Sequence, residues 1–399
     1  MEQIFTVAAV WLLLAVVAAI IAYHLKISIA LVEICVGVVA ASVANEIGIK
    51  EELAANSEWL KFLASSGALL LTFLAGAELQ PDVIKQKIKE VSAVGIIGFL
   101  APFIGGVLVS FYLLDWSFKA SLIVGIALST TSMAVVYAVM LETGLNKTDF
   151  GKGILGACFI NDLGTVISLA LIFAPFTYRT LVFISITVFF LFALPSLSKL
   201  LTRIYGHKTA AIRTKWVIAV LFALGAFALW AGSEAVLPAY LVGMVLAEFS
   251  SDDLMWVRRF RTLTVGFLTP FYFLRAGTFV SLTSLVAQPV IFLALFFSKV
   301  LSKILGLYPV ISAFRERKDE RWYYSLMMST GLTFGTISAL YGFTHQIISQ
   351  EQYSFIVAVV IGSAVIPTMI ANMSFLPKHL IPAQPILPNI EEEEEGEEG

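Results

Sequence analysis

The sequence predicts an all-α integral membrane protein of about thirteen transmembrane helices in two inverted repeats. Three observations lead there. Of 399 residues, 59% are hydrophobic and 14% charged, against roughly a quarter charged in a soluble domain, and mean hydropathy is +0.89. The chain divides into apolar runs, each near the ~20 residues that cross a bilayer. Its Lys and Arg are sorted by loop. Together these exclude a separate soluble catalytic domain. A net charge of −2 offers nucleic acid no basic surface, and no residue pattern calls for a cofactor.

The runs place spans at 4–23, 27–45, 60–79, 91–113, 117–140, 149–173, 180–200, 214–232, 235–250, 262–283, 289–311, 322–347 and 353–376. The ninth is short. Its separation from the eighth rests on Gly232, Ser233, Glu234 and Pro238, and fusing the two leaves twelve. Charge decides the count. One alternate set of connections carries nineteen Lys and Arg, among them Lys85, Arg203, Arg258 and Arg315; the other carries Lys50, Lys61, Lys119 and Arg179. Because basic loops stay in the cytoplasm, thirteen spans with the N-terminus outside and the C-terminus inside fit best, in the cell membrane. The first span lacks a basic leader and reads as retained. Cys35 and Cys158 lie in apolar stretches and read as reduced packing residues. Residues 1–376 form the transmembrane unit, with repeat one at about 4–173, a linker helix at 180–200 and repeat two at about 214–376. Residues 377–399, ending in a run of glutamates, are expected to be a disordered acidic cytoplasmic tail.

Charges in hydrocarbon are costly, and each is a functional candidate unless it can reach the interface. Asp162 cannot. It lies some thirteen residues into its span with Asn161 beside it, near the midplane at ~1.5 Å per residue. A structural hydrogen bond between helices is the alternative. In the fifth span Ser129, Thr130, Thr131 and Ser132 stand in a row, and in the twelfth Gly331, Thr333, Gly335, Thr336 and Ser338 crowd the same depth. Hydroxyl side chains compete for backbone bonds, so both spans are expected to break there, unless the small residues only pack helices closely. Broken helices at this depth line cavities and make ion sites. The fifth and twelfth spans are offset by seven, and an odd offset means opposite orientation. That is the arrangement of inverted repeats about a linker.

The stretch Leu71-Thr72-Phe73-Leu74-Ala75-Gly76-Ala77-Glu78-Leu79 resembles the third-span signature of the monovalent cation/proton antiporter superfamily, the Na+/H+ exchangers. Ser129 to Ser132 resembles its broken-helix threonine motif, Asn161-Asp162 its ion-binding pair, and Lys303-Ile304-Leu305-Gly306 its lysine-bearing span. The resemblance implies a core domain with two crossed broken helices, a dimerisation domain and a homodimer that exchanges Na+ or a similar cation for H+. It implies that Asp162 binds cation and proton in turn beside Asn161. Thr131 becomes a ligand or orienter at the break, and Lys303 the balance for the helix dipoles. Lys299, one turn away on the same face, leaves open which lysine does this.

One carboxylate that cannot hold two ligands is the simplest antiporter. Na+ or Li+ wants oxygen, and the Asp162 carboxylate, the Asn161 amide and the hydroxyls of Ser129, Thr130 and Thr131 supply it. Since Asn161 does not titrate, exchange is expected to be one for one, without net charge. Glu33 and Glu78, toward the cytoplasmic ends of their spans, are candidates for a cation-attracting funnel; Glu78 equally suits the interface or a lysine partner. Arg275 is expected to pair with a carboxylate such as Glu234, and His207 reads as a solvated loop histidine before a pH sensor. The rivals are a K+/H+ antiporter of the same fold and an organic-anion/sodium symporter.

Overall fold

The computed structural model describes residues 1–25, 28–48, 53–77, 86–173, 177–205, 211–232, 235–247 and 254–381. Among them every regular element is a helix. The helices are α1 (Glu2–Leu25), α2 (Ile29–Ile47), α3 (Glu58–Ala77), α4 (Ile88–Leu108, extended by a π-helical turn over Val109–Leu113), α5 (Phe118–Ser129), α6 (Met133–Thr143), α7 (Asp149–Phe173), α8 (Tyr178–Tyr205) and α9 (Ile212–Trp230). They continue with α10 (Val236–Val245), α11 (Leu254–Leu263), a π-helical turn over Thr264–Leu268, α12 (Thr269–Thr278), α13 (Leu282–Ala287), α14 (Pro289–Ser312), α15 (Lys318–Met328), α16 (Thr333–Thr344) and α17 (Gln350–Ser374). Nine of these described helices are each long and apolar enough to cross a membrane. The other four expected spans are α5 with α6, α10, α11 with α12, and α15 with α16.

The tenth span begins earlier than its apolar run. Arg258 and Arg259 lie on the exposed face of α11, a helix whose other face buries Trp256, Val257 and Phe260. Apolarity cannot show such an amphipathic entry segment, because half of it faces water.

Local chemistry explains the two interruptions. In α5 the Ser129 and Thr130 hydroxyls donate to the carbonyls of Ile126 and Ala127, drawing side chains into the last turn, and Thr130 leaves the helix with extended backbone. In α15 the Ser329 and Thr330 hydroxyls donate back to Ser325 and Met327, and the helix resumes at Thr333.

The packing partners repeat across the chain. In the first half α4 packs on α5 and α7; in the second α14 packs on α15 and α17. Likewise α2 crosses α12, and α3 crosses α10. Both crossings are backbone to backbone. Gly37 lies against the Leu274 carbonyl and Gly277 against that of Ile34; Gly76 lies against the Tyr240 carbonyl and Gly243 against that of Phe73. Any side chain at these four positions forces the helices apart. The second and third spans therefore meet the tenth and ninth through matched glycine pairs, as a two-fold relation between opposed repeats requires.

One end of the bundle is ion-paired. Arg315, after α14, donates through Nε and Nη2 to Glu90 Oε1 at 3.1 and 2.7 Å and lies 5.2 Å over the Phe150 ring. Tyr324 donates to the Gly153 carbonyl at 3.1 Å, and Lys87 Nζ to that of Asp149 at 2.9 Å. The starts of α4, α7 and α15 thus share this basic end. It follows that α5, entered from the far end of α4, runs opposite to α15. The expected disorder after residue 376 does not begin at once. Lys378–Leu380 form a 3-10 turn, with His379 Nε2 2.9 Å from Glu320 Oε1 and Phe375 stacked on Trp322 at 5.6 Å. The apolar Leu376 and Leu380 pack against the buried cluster below and hold the turn there. The glutamate run lies outside the described residues.

The Arg315 and Glu90 side chains are 16% and 10% exposed, against 57% and 30% for Arg317 and Asp319. Arg317 holds the Asp319 carboxyl below the usual carboxylate range by hydrogen bonding, but water screens such a pair. Arg315→Ala strands a buried carboxylate and is expected to cost about 3 kcal/mol, while Arg317→Ala leaves the melting temperature unchanged; thermal unfolding in detergent compares the two.

Candidate functional site

The two interruptions cross. The Ser132 amide donates to the Thr330 carbonyl at 3.1 Å, and the Thr131 hydroxyl to that of Met328 at 2.8 Å. The carbonyl ends of α5 and α15, where helix dipoles place partial negative charge, therefore meet. Lys303 on α14 reaches into this point. Its amine donates to the Met328 carbonyl at 2.7 Å, the Thr131 hydroxyl at 2.5 Å and the Thr130 carbonyl at 3.4 Å. Lys299 donates to the same Thr130 carbonyl at 3.3 Å and fills the space beside Gly331, where a Cβ would collide with its amine. Both lysines are fully buried. Lys303 donates hydrogen bonds to both broken helices and Lys299 to one, so the sequence's two candidates differ in what they hold.

Asp162 and Asn161 lie midway along α7, 1% and 0% exposed. Asp162 Oδ1 and both polar atoms of the Asn161 amide have no hydrogen-bond partner. Among the described ion pairs none joins Asp162 to a lysine within 4 Å. Buried polar groups are normally satisfied, which makes this cluster exceptional: two acceptor oxygens and one amide donor are enclosed by protein without partners. Tyr240 of α10 closes over the same stretch of α7. Its hydroxyl donates to the Phe159 carbonyl at 3.1 Å, its ring stacks on Phe159 at 5.4 Å and meets Phe334 of α16 edge-on at 5.6 Å.

Thr131 both donates to Met328 and accepts from Lys303. Its hydroxyl is committed to the crossing, which makes it an orienter. The Ser129 and Thr130 hydroxyls, each donating once to its own helix, keep lone pairs. Glu33 is 2% exposed on α2, one turn before the Gly37 crossing; it is buried rather than set in an open funnel. Arg275 meets no described carboxylate at salt-bridge distance. Its Nε donates to the Ala55 carbonyl at 2.7 Å, and its guanidinium lies 4.8 Å over Phe279. Glu78, His207 and Glu234 lie outside the described residues.

Sequence reasoning missed the backbone acceptor at Met328, which has no residue-type signature, and Tyr240. A buried tyrosine needs a hydrogen-bond partner, which was the available signal. A cavity of about 1240 Å3 opens at the end opposite the basic one, between α2, α3, α12 and the α16–α17 connection, with Asn45, Ser65, Arg275, Thr278 and Gln350 in its wall. None of its lining comes from α7, so it stops short of Asp162.

Comparison with known proteins agrees with this architecture. The chain is 30% identical over 232 residues to the probable Na+/H+ antiporter 3 of Methanocaldococcus jannaschii, covering 55% of this chain and 58% of that protein. Against cation/H+ antiporter 17 of Arabidopsis thaliana it is 28% identical, covering 55% of this chain and 29% of that one. With Na+/H+ antiporter NhaS4 of Synechocystis it shares 25% identity over 70% of this chain and 73% of that one. The chain thus spans under two thirds of the length of the first two relatives. Among solved structures, the sodium proton antiporter MjNhaP1 from Methanocaldococcus jannaschii superposes with a TM-score of 0.68 at 15% identity, over 96% of this chain and 99% of that one, which shows the fold. The family model described as sodium/hydrogen exchanger, transmembrane, matches residues 12–375. With nearly every span inside that match, this chain belongs to the sodium/hydrogen exchanger transmembrane family.

Proposed function

We propose that this chain exchanges Na+ or Li+ for H+ by alternating access, one for one and without net charge, Asp162 holding cation and proton in turn. One observation carries the proposal. The Asp162 carboxylate and Asn161 amide are buried without partners, beside a crossing whose negative helix ends are already taken by Lys303. An acid without a fixed counter-ion accepts whichever positive species arrives, and burial makes the bare carboxylate costly. The Asp162 carboxylate and the Asn161 amide oxygen are hard donors suited to an alkali ion, and the same proposal assigns the free lone pairs of Ser129 and Thr130 to complete the set. Thr131 and Lys303 hold the two breaks in register around it. The relatives' names, antiporters of Na+ or other cations against H+, support the same reading.

Asp162 is closed to solvent here, so turnover needs motion. The glycine crossings tie α2 to α12 and α3 to α10 as one body, and α4–α7 with α14–α17 form the other. The bodies meet at Tyr240, against α7 and α16, and at the end of α12, where Tyr353 of α17 donates to the Ala276 carbonyl at 2.7 Å. Sliding there opens Asp162 to either side. To the same proposal belong an N-terminus outside the cell membrane, supported by the sorting of Lys and Arg between loops, and a homodimer, which the family resemblance implies.

The test is the purified chain in pyranine-loaded proteoliposomes. Adding Na+ or Li+ is expected to move protons, with no membrane potential generated and no dependence on a potential clamp. A potential generated by Na+ overturns the stoichiometry. A response to K+ alone overturns the choice of cation, and none to any alkali ion overturns exchange.

A further inference from the structure

Two sulfur atoms meet beside the cation site, and nothing in the exchange uses them. Cys158 lies one turn before Asp162 on α7, and residues four apart share a helix face. Its Sγ is 3.6 Å from the Sδ of Met328, and both residues are fully buried. Met328 closes α15, and its carbonyl is held by Lys303 and Thr131, so its thioether is anchored at the crossing. The Met328 methyl and the Asn161 amide nitrogen both close over Gly98, 3.4 and 3.5 Å from where a Cβ would stand. Asn161 Oδ1 and Asp162 Oδ1 are buried without partners.

We infer that Cys158 and Met328 form a second site next to the alkali-ion site, one that takes a soft monovalent cation such as Ag+ or Cu+. Thiolate and thioether select such ions, while Na+ and Li+ prefer oxygen. The sulfurs are close enough for one ion to bridge both, with the Asn161 and Asp162 oxygens as weaker donors. The ion carries the charge of the proposed cargo and reaches the sulfurs by the route to Asp162, so this step rests on the proposed exchange; binding itself does not. On capture the Cys158 S–H bond breaks, an S–metal bond forms, and the proton passes to the Asp162 carboxylate. No electron moves. Asp162 is then neutral beside a bound metal, and exchange stops.

The experiment uses the full chain and Ag+ in chloride-free buffer. Micromolar Ag+ is expected to block Na+-driven proton movement in the wild type and in Cys35→Ala, the other free thiol lying at the α1–α2 groove. Cys158→Ala is expected to escape the block, Met328→Leu to need at least ten-fold more Ag+, and high Na+ to slow inhibition. The purified Cys35→Ala protein is expected to bind one Ag+ through Cys158, with two sulfur neighbours by X-ray absorption. Equal Ag+ sensitivity in Cys158→Ala, relief by Cys35→Ala, or a single sulfur neighbour overturns the site. Should Cys158→Ala fail to fold, Cys158→Ser and Met328→Leu in a Cys35→Ala background make the same comparison. If the wild type binds Ag+ through two sulfurs yet moves no protons, the transport reading falls and the soft site stands.

Discussion

Asp162→Asn is expected to abolish Na+-driven proton movement and to leave the protein at least as stable as the wild type. The two halves of this result have one cause. Asp162 Oδ1 has no hydrogen-bond partner, and the nearest amines spend their bonds on Thr130, Thr131 and Met328. An amide of the same shape neither takes up a proton nor offers a charge, so both half-reactions are lost and the signal is expected to fall by at least 100-fold, to the protein-free baseline. Stability moves the other way, because the carboxylate's burial cost is not offset by a partner. Removing it is expected to raise the unfolding free energy by about 1 kcal/mol, the trade-off of a group kept for function. Pyranine flux and thermal unfolding in detergent measure the two halves. Persistent flux ends the assignment of the site. A large loss of stability with lost flux instead makes Asp162 a structural residue.

The sequence shows this arrangement unevenly, and the reasons are physical. Spans were legible because hydrocarbon admits few residue types, and the first break because four hydroxyl residues at 129–132 compete with helical bonding in an otherwise apolar run; of the five small or hydroxyl residues that marked the second, only Gly331 falls in the interruption, Thr333, Gly335, Thr336 and Ser338 lying within α16. Asp162 was legible by its cost alone. What depends on distance along the chain was not. Glu90 and Arg315 are 225 residues apart, and no local pattern joins them. Arg275 was expected to find a carboxylate and instead donates to a backbone carbonyl, which carries no residue identity. Lys299 and Lys303 were indistinguishable as neighbours on one helix face and differ only in what the crossing offers each. Cys158 read as a packing residue; its partner Met328 lies 170 positions away.

That difference between the lysines gives the second large effect. Lys303→Met, close in length and apolar, removes the donor that ties the Met328 and Thr130 carbonyls and the Thr131 hydroxyl together. Met328 keeps one bond, from Thr131. Thr130 keeps one, from Lys299. The facing negative ends of α5 and α15 lose the charge between them. Hydrogen bonds to charged groups contribute about 1.5–3 kcal/mol each, and some return because a buried ammonium is itself costly to desolvate. A net loss of about 3 kcal/mol is expected. Lys299→Met removes a single bond of 3.3 Å and frees the space beside Gly331, so its loss is expected to stay under about 1 kcal/mol. Asp162 survives in both variants, so the Lys303→Met protein that remains folded should exchange weakly, its breaks no longer held in register, while Lys299→Met keeps most of its rate. Unfolding and flux measured side by side decide it. Equal destabilisation by the two means that the crossing is held by total positive charge, whichever helix position supplies it; a stable, inactive Lys303→Met means that this lysine acts on the transported ions and not on the scaffold.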